Sequence, residues 1–127
     1  PKMREITGRK ADTWNCPASR IPDLAATRAV VDTAAAAAGR TVRTTLQIPV
    51  AVGRTEEEAT AALEVARVHM AWMGDIESIG VTGTIDAAAE QVAALSAREI
   101  HGLIAVVPGS RRRPDFIEAY GELAARF

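Results

Sequence analysis

The sequence predicts an α/β protein in which parallel strands are joined by crossover helices. Amphipathic helical patterns alternate with short β-rich segments along the 127 residues, as is typical of such proteins. Segment 100–109 (IHGLIAVVPG) is almost continuously apolar, which is expected of a strand buried on both faces of a parallel sheet. The predicted order is helix, strand, helix, strand, helix, helix, strand, helix.

The composition indicates one globular domain, 1–127, and excludes several classes of function. The formal net charge of -1 does not favour binding to nucleic acid or to an acidic membrane surface. No apolar run approaches the roughly 20 residues of a membrane-spanning helix. A single cysteine excludes an internal disulfide, and no signal peptide is visible, so a cytoplasmic location is expected.

The first forty residues predict a short helix, a very short strand and a long helix. Residues 1–10 favour a helix with Pro1 in its first turn and an early end at Gly8. Residues 11–15 (ADTWN) favour a strand that ends at its polar residue. Residues 21–38 show the three-and-four spacing of apolar side chains that indicates a helix with one buried face.

Residues 41–52 predict the strand with the clearest two-residue alternation. Its buried side is expected to carry every second residue from Val42 to Val50. Pro49 cannot donate a hydrogen bond to a neighbouring strand, so the end of this strand is expected at a sheet edge or outside the sheet.

The strongest helix signal covers residues 55–73. Thr55 and Glu58 have the spacing of a capping box, in which each satisfies a free backbone N–H of the first turn. Residues 74–84 are expected to be a loop. Two further helices, at 85–99 and 110–127, are expected on either side of the apolar strand.

Five segments in this order resemble the C-terminal part of the luciferase-like monooxygenase family. They are MREITGRKADTWN, AAAAAGR, TLQIPVAVGRTEEEATAAL, GTIDAAAEQVAAL and GLIAVVPG. The family consists of flavin- or deazaflavin-dependent oxidoreductases. The resemblance covers nearly the whole chain and is carried by the order and spacing of the segments.

This resemblance implies a (β/α)8 TIM barrel, of which the chain would supply about three C-terminal strand–helix units. A complete barrel needs roughly 250 residues. It implies FMN or a deazaflavin coenzyme of the F-420 type, and a small organic substrate. The early strands carry much of the flavin cradle in the family. This chain alone is therefore expected to be inactive and to bind neither cofactor tightly, and no catalytic residue is assigned.

Trp14 and Asn15 are candidate cofactor-binding residues, because active sites of barrels lie where strands end. Trp14 could form an apolar wall near the flavin ring, and Asn15 could hydrogen-bond substrate or cofactor. The alternative is that Trp14 belongs to the core and Asn15 starts a turn.

Gly109, Ser110 and Arg111 are the second candidate group. A glycine, a serine and three arginines before a helix favour anion binding, and barrels often bind phosphate after their last strands. The anion would be the phosphate of FMN or the tail of a deazaflavin. The alternative is a solvated loop whose arginines pair with nearby acids.

The remaining reactive side chains are not expected to act in catalysis. Cys16 has no activating base near it in sequence and is interpreted as a structural thiol. His69 and His101 do not have the spacing of metal ligands, so no metal is expected.

A different class of function remains open, namely a non-catalytic α/β fragment that folds by self-association. Three parallel units cannot close a barrel, and exposed strand edges pair with other chains. The partners expected are a second copy in a homodimer or the missing half of the barrel.

Overall fold

The computed structural model describes residues 2–127, so the predicted place of Pro1 in a helical turn lies outside the described residues. The helices and strands, in chain order, are α1 (Lys2–Lys10), β1 (Thr13–Pro17), α2 (Leu24–Ala37), β2 (Arg43–Gly53), α3 (Glu56–His69), α4 (Ile76–Ile79), β3 (Val81–Thr84), α5 (Ile85–Ser96), β4 (Gly102–Val106) and α6 (Pro114–Ala124). All observed strand pairs are parallel, so the predicted α/β class with a parallel sheet is confirmed.

Strand β2 is the centre of the sheet. It pairs with β1 along residues 43–47, with β4 along 45–49 and with β3 along 50–53. Because β1 and β4 share residues 45–47 as partners, they lie on opposite sides of β2. The expectation that the strand leaves the sheet after Pro49 is wrong, since residues 50–53 pair with β3. The alternative of an edge position fits, because within residues 2–127 β3 is the one strand that pairs with them.

The main core lies between one face of β2 and the helices. The predicted alternation is confirmed, because the residues on this face of β2 are buried, namely Thr44, Leu46, Ile48, Val50 and Val52. They pack with Ala88 and Val92 of α5 and with Leu123 of α6. The aliphatic pattern of β2 thus fixes which face receives α5 and the Leu123 side of α6.

Helix α3 makes a second, smaller core with the other face of β2. Ala62, Ala66 and Met70 cluster there with Ala51 of β2 and Phe116 of α6. The whole second half of β2, residues 48–53, is therefore buried, whereas the first half has buried and accessible residues in alternation.

Helix α1 does not end at Gly8, as its glycine predicts, but continues to Lys10. Gly8 is buried against α2, where an added Cβ atom would lie 2.7 Å from the Cβ atom of Ala34. Gly8 lies at the contact between α1 and α2, and a larger side chain there would push the two helices apart.

The loop expected at 74–84 is wrong, because this segment holds α4 and β3. Ile76, Ile79 and Val81 are buried in the two cores. Residues 81–84 (VTGT) have only a weak local preference for a strand. They form one because they pair with β2.

Several helices are shorter than predicted. Helix α2 is preceded by a 3₁₀ turn at Ala18–Arg20, α3 is followed by another at Ala71–Met73, and α6 begins at Pro114. Helix α5 ends at Ser96, and the backbone turns three residues later at Glu99, where φ is 60°. Arg28 of α2 holds that turn by donating a hydrogen bond of 3.2 Å to the Glu99 carbonyl oxygen. None of the helices in residues 2–127 is both long enough and apolar enough to cross a bilayer.

The predicted cap of α3 by Thr55 is confirmed, whereas Glu58 binds the amide of Arg54 and not that of Thr55, as a capping box requires. The Glu58 amide donates to Thr55 Oγ1 at 3.1 Å, and the Glu58 carboxylate accepts from the Arg54 amide at 2.8 Å. Thr55→Ala should lower the free energy of unfolding by about 1 kcal/mol in urea titrations. Thr60→Ala, an exposed mid-helix control, should not destabilise the protein. Equal losses in both variants would contradict a capping role.

Candidate functional site

One face of the first half of the sheet is not covered by any helix in residues 2–127. We call it the open sheet face, and it carries Asn15 of β1, Thr45 and Gln47 of β2, and Ile104 of β4. In the strand register Asn15 lies beside Thr45, and Gln47 lies beside Ile104. Asn15 and Ile104 are exposed, and the other two are half-buried. These four side chains therefore form one accessible patch across three strands.

A short hydrogen-bonded row organises the polar part of the open sheet face. The Asn15 side-chain amide donates to Gln47 Oε1 at 3.2 Å, and Thr45 Oγ1 donates to Asn15 Oδ1 at 3.2 Å. Each amide keeps unused N–H groups and lone pairs. The row is uncharged, holds its side chains in place and can both donate to and accept from a bound molecule.

Ile104 provides the apolar part of the same face. The expectation that β4 is buried on both faces is wrong, because Ile104 is 47% exposed and the rest of β4 is half-buried. The apolar sequence of β4 is suited to contacts on both sides. In the described chain Leu103 and Ala105 face the main core, and Val106, on the same side as Ile104, packs against the second core.

Trp14 does not share the open sheet face with Asn15. Neighbouring residues of a strand point to opposite faces, and Trp14 packs against Val31, Ala35 and Val42 on the helix side. The core alternative for Trp14 thus matches its observed packing. Asn15 does not start a turn, because β1 continues to Pro17. A role of Trp14 in cofactor binding stays a prediction.

Gly109, Ser110 and Arg111 lie in the turn that follows the carboxyl end of β4. Gly109 has φ of 74°, and a Cβ atom there would lie 2.7 Å from Val65 Cγ1 of α3, so this turn packs tightly against that helix. Ser110 is half-buried and Arg111 is exposed. No hydrogen bond within residues 2–127 joins this turn to Asn15.

One of the three arginines is already paired. Arg113 binds Asp115 through its guanidinium, with 2.6 Å between Nη2 and Oδ2, and lies 4.3 Å from the ring centre of Phe116. The hydrogen bond from Arg113 lowers the pKa of the Asp115 carboxyl. The paired alternative is therefore observed for Arg113, whereas Arg111 remains a candidate for binding an anion.

The Nδ1 atom of each histidine lies within hydrogen-bond distance of a backbone atom. His101 Nδ1 accepts a 3.0 Å hydrogen bond from the Thr44 amide, so His101 extends the contact between β4 and β2. His69 is exposed, with its Nδ1 3.0 Å from the Val65 carbonyl oxygen. Among the described residues no three His, Cys, Asp or Glu side chains form a group that could hold a metal ion.

Cys16 should resist alkylation in the native protein. Its side chain is fully buried, and desolvation raises the pKa of its thiol against the opposing effect of Arg4 and Arg20. The reactive thiolate is therefore scarce and inaccessible at neutral pH. Mass spectrometry after iodoacetamide treatment should show little modification in buffer and complete modification in urea. Rapid native modification would mean that β1 opens readily.

Thr45 and Gln47 are the members of the site that sequence reasoning missed. They occupy alternate positions in a strand whose other alternate positions are aliphatic. That alternation is a signal of one buried face and one accessible face. The connection of Thr45 and Gln47 to Asn15 depends on the register between β1 and β2.

Together the fold and this site define an α/β protein with a parallel sheet, helices packed against both of its faces and a polar patch left uncovered on the first half of one face. The structure is similar to that of the monooxygenase RslO1 from Streptomyces bottropensis, with a TM-score of 0.73 and 16% sequence identity. The similarity covers 98% of this chain and 44% of that one, so this chain spans less than half the length of the protein it matches. At this identity the similarity shows the fold alone. No protein-family description and no curated protein matches the sequence.

Proposed function

We propose that this chain is the C-terminal portion of an oxidoreductase of the luciferase-like monooxygenase type, and that the open sheet face forms part of its binding site. The observation that carries the proposal is the ordered row of Asn15, Thr45 and Gln47 on an uncovered sheet face. The similarity in fold to part of a monooxygenase supports it.

The chemistry of the open sheet face suits an uncharged, partly planar ligand. Amide groups can bind the N–H and C=O groups of a flavin or deazaflavin ring, or those of a small organic substrate. Ile104 offers an apolar surface beside them. The cofactor would supply the redox chemistry, and Asn15 and Gln47 would orient the bound ring and replace its water contacts.

The turn from Gly109 to Arg111 is a second part of the proposed site. Arg111 would bind the phosphate of FMN or the acidic tail of a deazaflavin coenzyme, since guanidinium groups form strong charge-assisted hydrogen bonds with such anions. The remaining contacts would come from the barrel strands outside this chain. For that reason residues 1–127 alone are expected to bind either cofactor weakly.

The proposal is tested on the complete product of the gene, by fluorescence titration with FMN and with a deazaflavin coenzyme. Asn15→Ala and Gln47→Ala should each weaken binding of the preferred cofactor by about 3- to 10-fold, the effect of one lost net hydrogen bond. Thr41→Ala, an exposed polar residue outside the site, is the matched control. All variants should keep the melting temperature of the parent protein within a few degrees.

Two results would contradict the proposal. One is a complete gene product that binds neither cofactor at submillimolar concentration. The other is unchanged affinity in both amide variants, which would separate the open sheet face from cofactor binding.

A non-catalytic role by self-association is the second candidate, and the strand edges favour it. In the described part of the chain β1 and β4 pair only with β2, so each has a free edge. Such edges accept strands from other chains. The two explanations differ in the partner, because the first requires the rest of a barrel and the second requires only another copy.

Light scattering after size exclusion tests this candidate. Residues 1–127 alone should elute as a dimer, because pairing covers the free edges and the open sheet face. A folded monomer at micromolar concentration, with no companion peptide in the mass spectrum, would exclude self-association.

A further inference from the structure

A cavity on the core side of the sheet is not explained by the proposed function. It has a volume of about 270 Å³ and lies between α5, α6 and β4. Leu103 and Ala105 of β4 face it, whereas Ile104 faces the open sheet face, so the cavity and the candidate site lie on opposite sides of one strand. An apolar cavity of about 150 Å³ already suffices to bind benzene. This cavity therefore has room for a two-ring compound.

Most of the cavity wall is aliphatic, and three polar side chains interrupt it. Ser96, His101 and Tyr120 line the cavity together with Val92, Leu103 and Leu123. Ser96 Oγ donates to the Val92 carbonyl oxygen at 3.1 Å, so its proton is used. The hydroxyl of Tyr120 has no hydrogen-bond partner in residues 2–127. Tyr120 is thus a polar group in the wall that remains able to donate.

The hydrogen bond from the Thr44 amide to His101 determines which ring nitrogen of His101 can donate. Because Nδ1 accepts from the Thr44 amide, the neutral ring carries its proton on Nε2. The backbone bond from the His101 amide to the Thr44 carbonyl oxygen, 2.8 Å long, holds the residue at the start of β4. The residues that line the cavity therefore include the exposed His101 and the half-buried Tyr120, whose side chains can both donate to an acceptor.

The wall contains no acidic, lysine or arginine side chain. Burial of an unpaired ion there would be costly, which disfavours charged ligands. We propose that this cavity is a binding site for a neutral, mainly apolar small molecule of one or two rings with a single hydrogen-bond acceptor, such as a carbonyl oxygen. The apolar body would pack on Val92, Leu103 and Leu123, and the acceptor would bind Tyr120 or His101.

Residues at the end of α6 provide a way to close the cavity without altering the core. Ala124 lines the cavity and is exposed, and Phe127 beside it is 68% exposed. A large side chain at position 124 would fill the opening. Ala125 is also exposed but does not line the cavity, so it serves as the matched position.

Calorimetric titration with two probes of nearly equal shape tests the proposal. 1-Acetonaphthone carries the acceptor oxygen, and 1-ethylnaphthalene lacks it. The protein should bind the ketone in the micromolar range and the hydrocarbon about 3- to 10-fold more weakly, as one hydrogen bond predicts. Ala124→Trp should abolish binding of both probes, whereas Ala125→Trp should leave it unchanged. Tyr120→Phe should remove part of the preference for the ketone.

The proposal is overturned if neither probe binds below the millimolar range. It is also overturned if Ala124→Trp binds both probes as the parent does, since binding would then occur elsewhere. Equal affinity for the two probes would refute the role assigned to the donors. Melting curves for every variant exclude unfolding as the cause of lost binding.

Discussion

Leu46→Ala should destabilise the protein by about 2–5 kcal/mol, the range observed when a buried leucine loses its side chain. Leu46 is fully buried in β2, beside Cys16 of β1 and Leu103 of β4 in the strand register. Because the neighbours are held by backbone pairing on both sides, they cannot collapse into the space left behind. Urea unfolding followed by circular dichroism measures the loss.

The matched control for this substitution is Val68→Ala. Val68 is 77% exposed on α3, so its truncation should change the free energy of unfolding by less than about 0.5 kcal/mol. A loss below 1 kcal/mol in Leu46→Ala would show that β2 is not the rigid centre of the core.

Gly53→Ala and Gly121→Ala should change stability in opposite directions. An added Cβ atom at Gly53 would lie 2.5 Å from the carbonyl carbon of Glu58 and 2.6 Å from its Cβ atom, where the first turn of α3 would have to move. We expect a loss of about 1–3 kcal/mol, as for other overpacked sites. At Gly121 of α6 an added Cβ atom has open space around it, and alanine favours helix by about 1 kcal/mol.

Thermal and urea unfolding of the two alanine variants provide the comparison. Gly121→Ala reports the gain in helix propensity without a clash, so a loss of stability in Gly53→Ala reports the packing at the start of α3. A stabilised Gly53→Ala variant would mean that α3 can shift away from β2 at little cost.

The sequence by itself determined the elements whose signals are local. Helix α3 follows from the Thr55 cap and from its apolar spacing, and both act within a few residues. The buried face of β2 follows from simple alternation of side chains. The α/β class followed from the order of these elements, because parallel strands need crossover connections.

Asn15 was predicted as a site residue because the strand was expected to end there. The strand continues to Pro17, and Asn15 lies within it on the open sheet face. Thr45 and Gln47 could not be connected to it, because they are thirty residues or more away along the chain. Only the register of β1 against β2 brings the three together. The alternation of side chains along β1 places Trp14 on the opposite face from Asn15.

The tertiary structure alone decided the conformation of segments whose local sequence signals are weak or favour another conformation. Residues 81–84 form a strand and β2 continues past Pro49 because these two segments pair with each other. Each segment satisfies backbone hydrogen-bonding groups of its partner. Gly8 remains within α1 because its missing side chain allows α2 to approach. The cavity between α5, α6 and β4 likewise depends on how three distant segments pack. Such contacts join residues far apart in the chain, and their energies have no signature in any single segment.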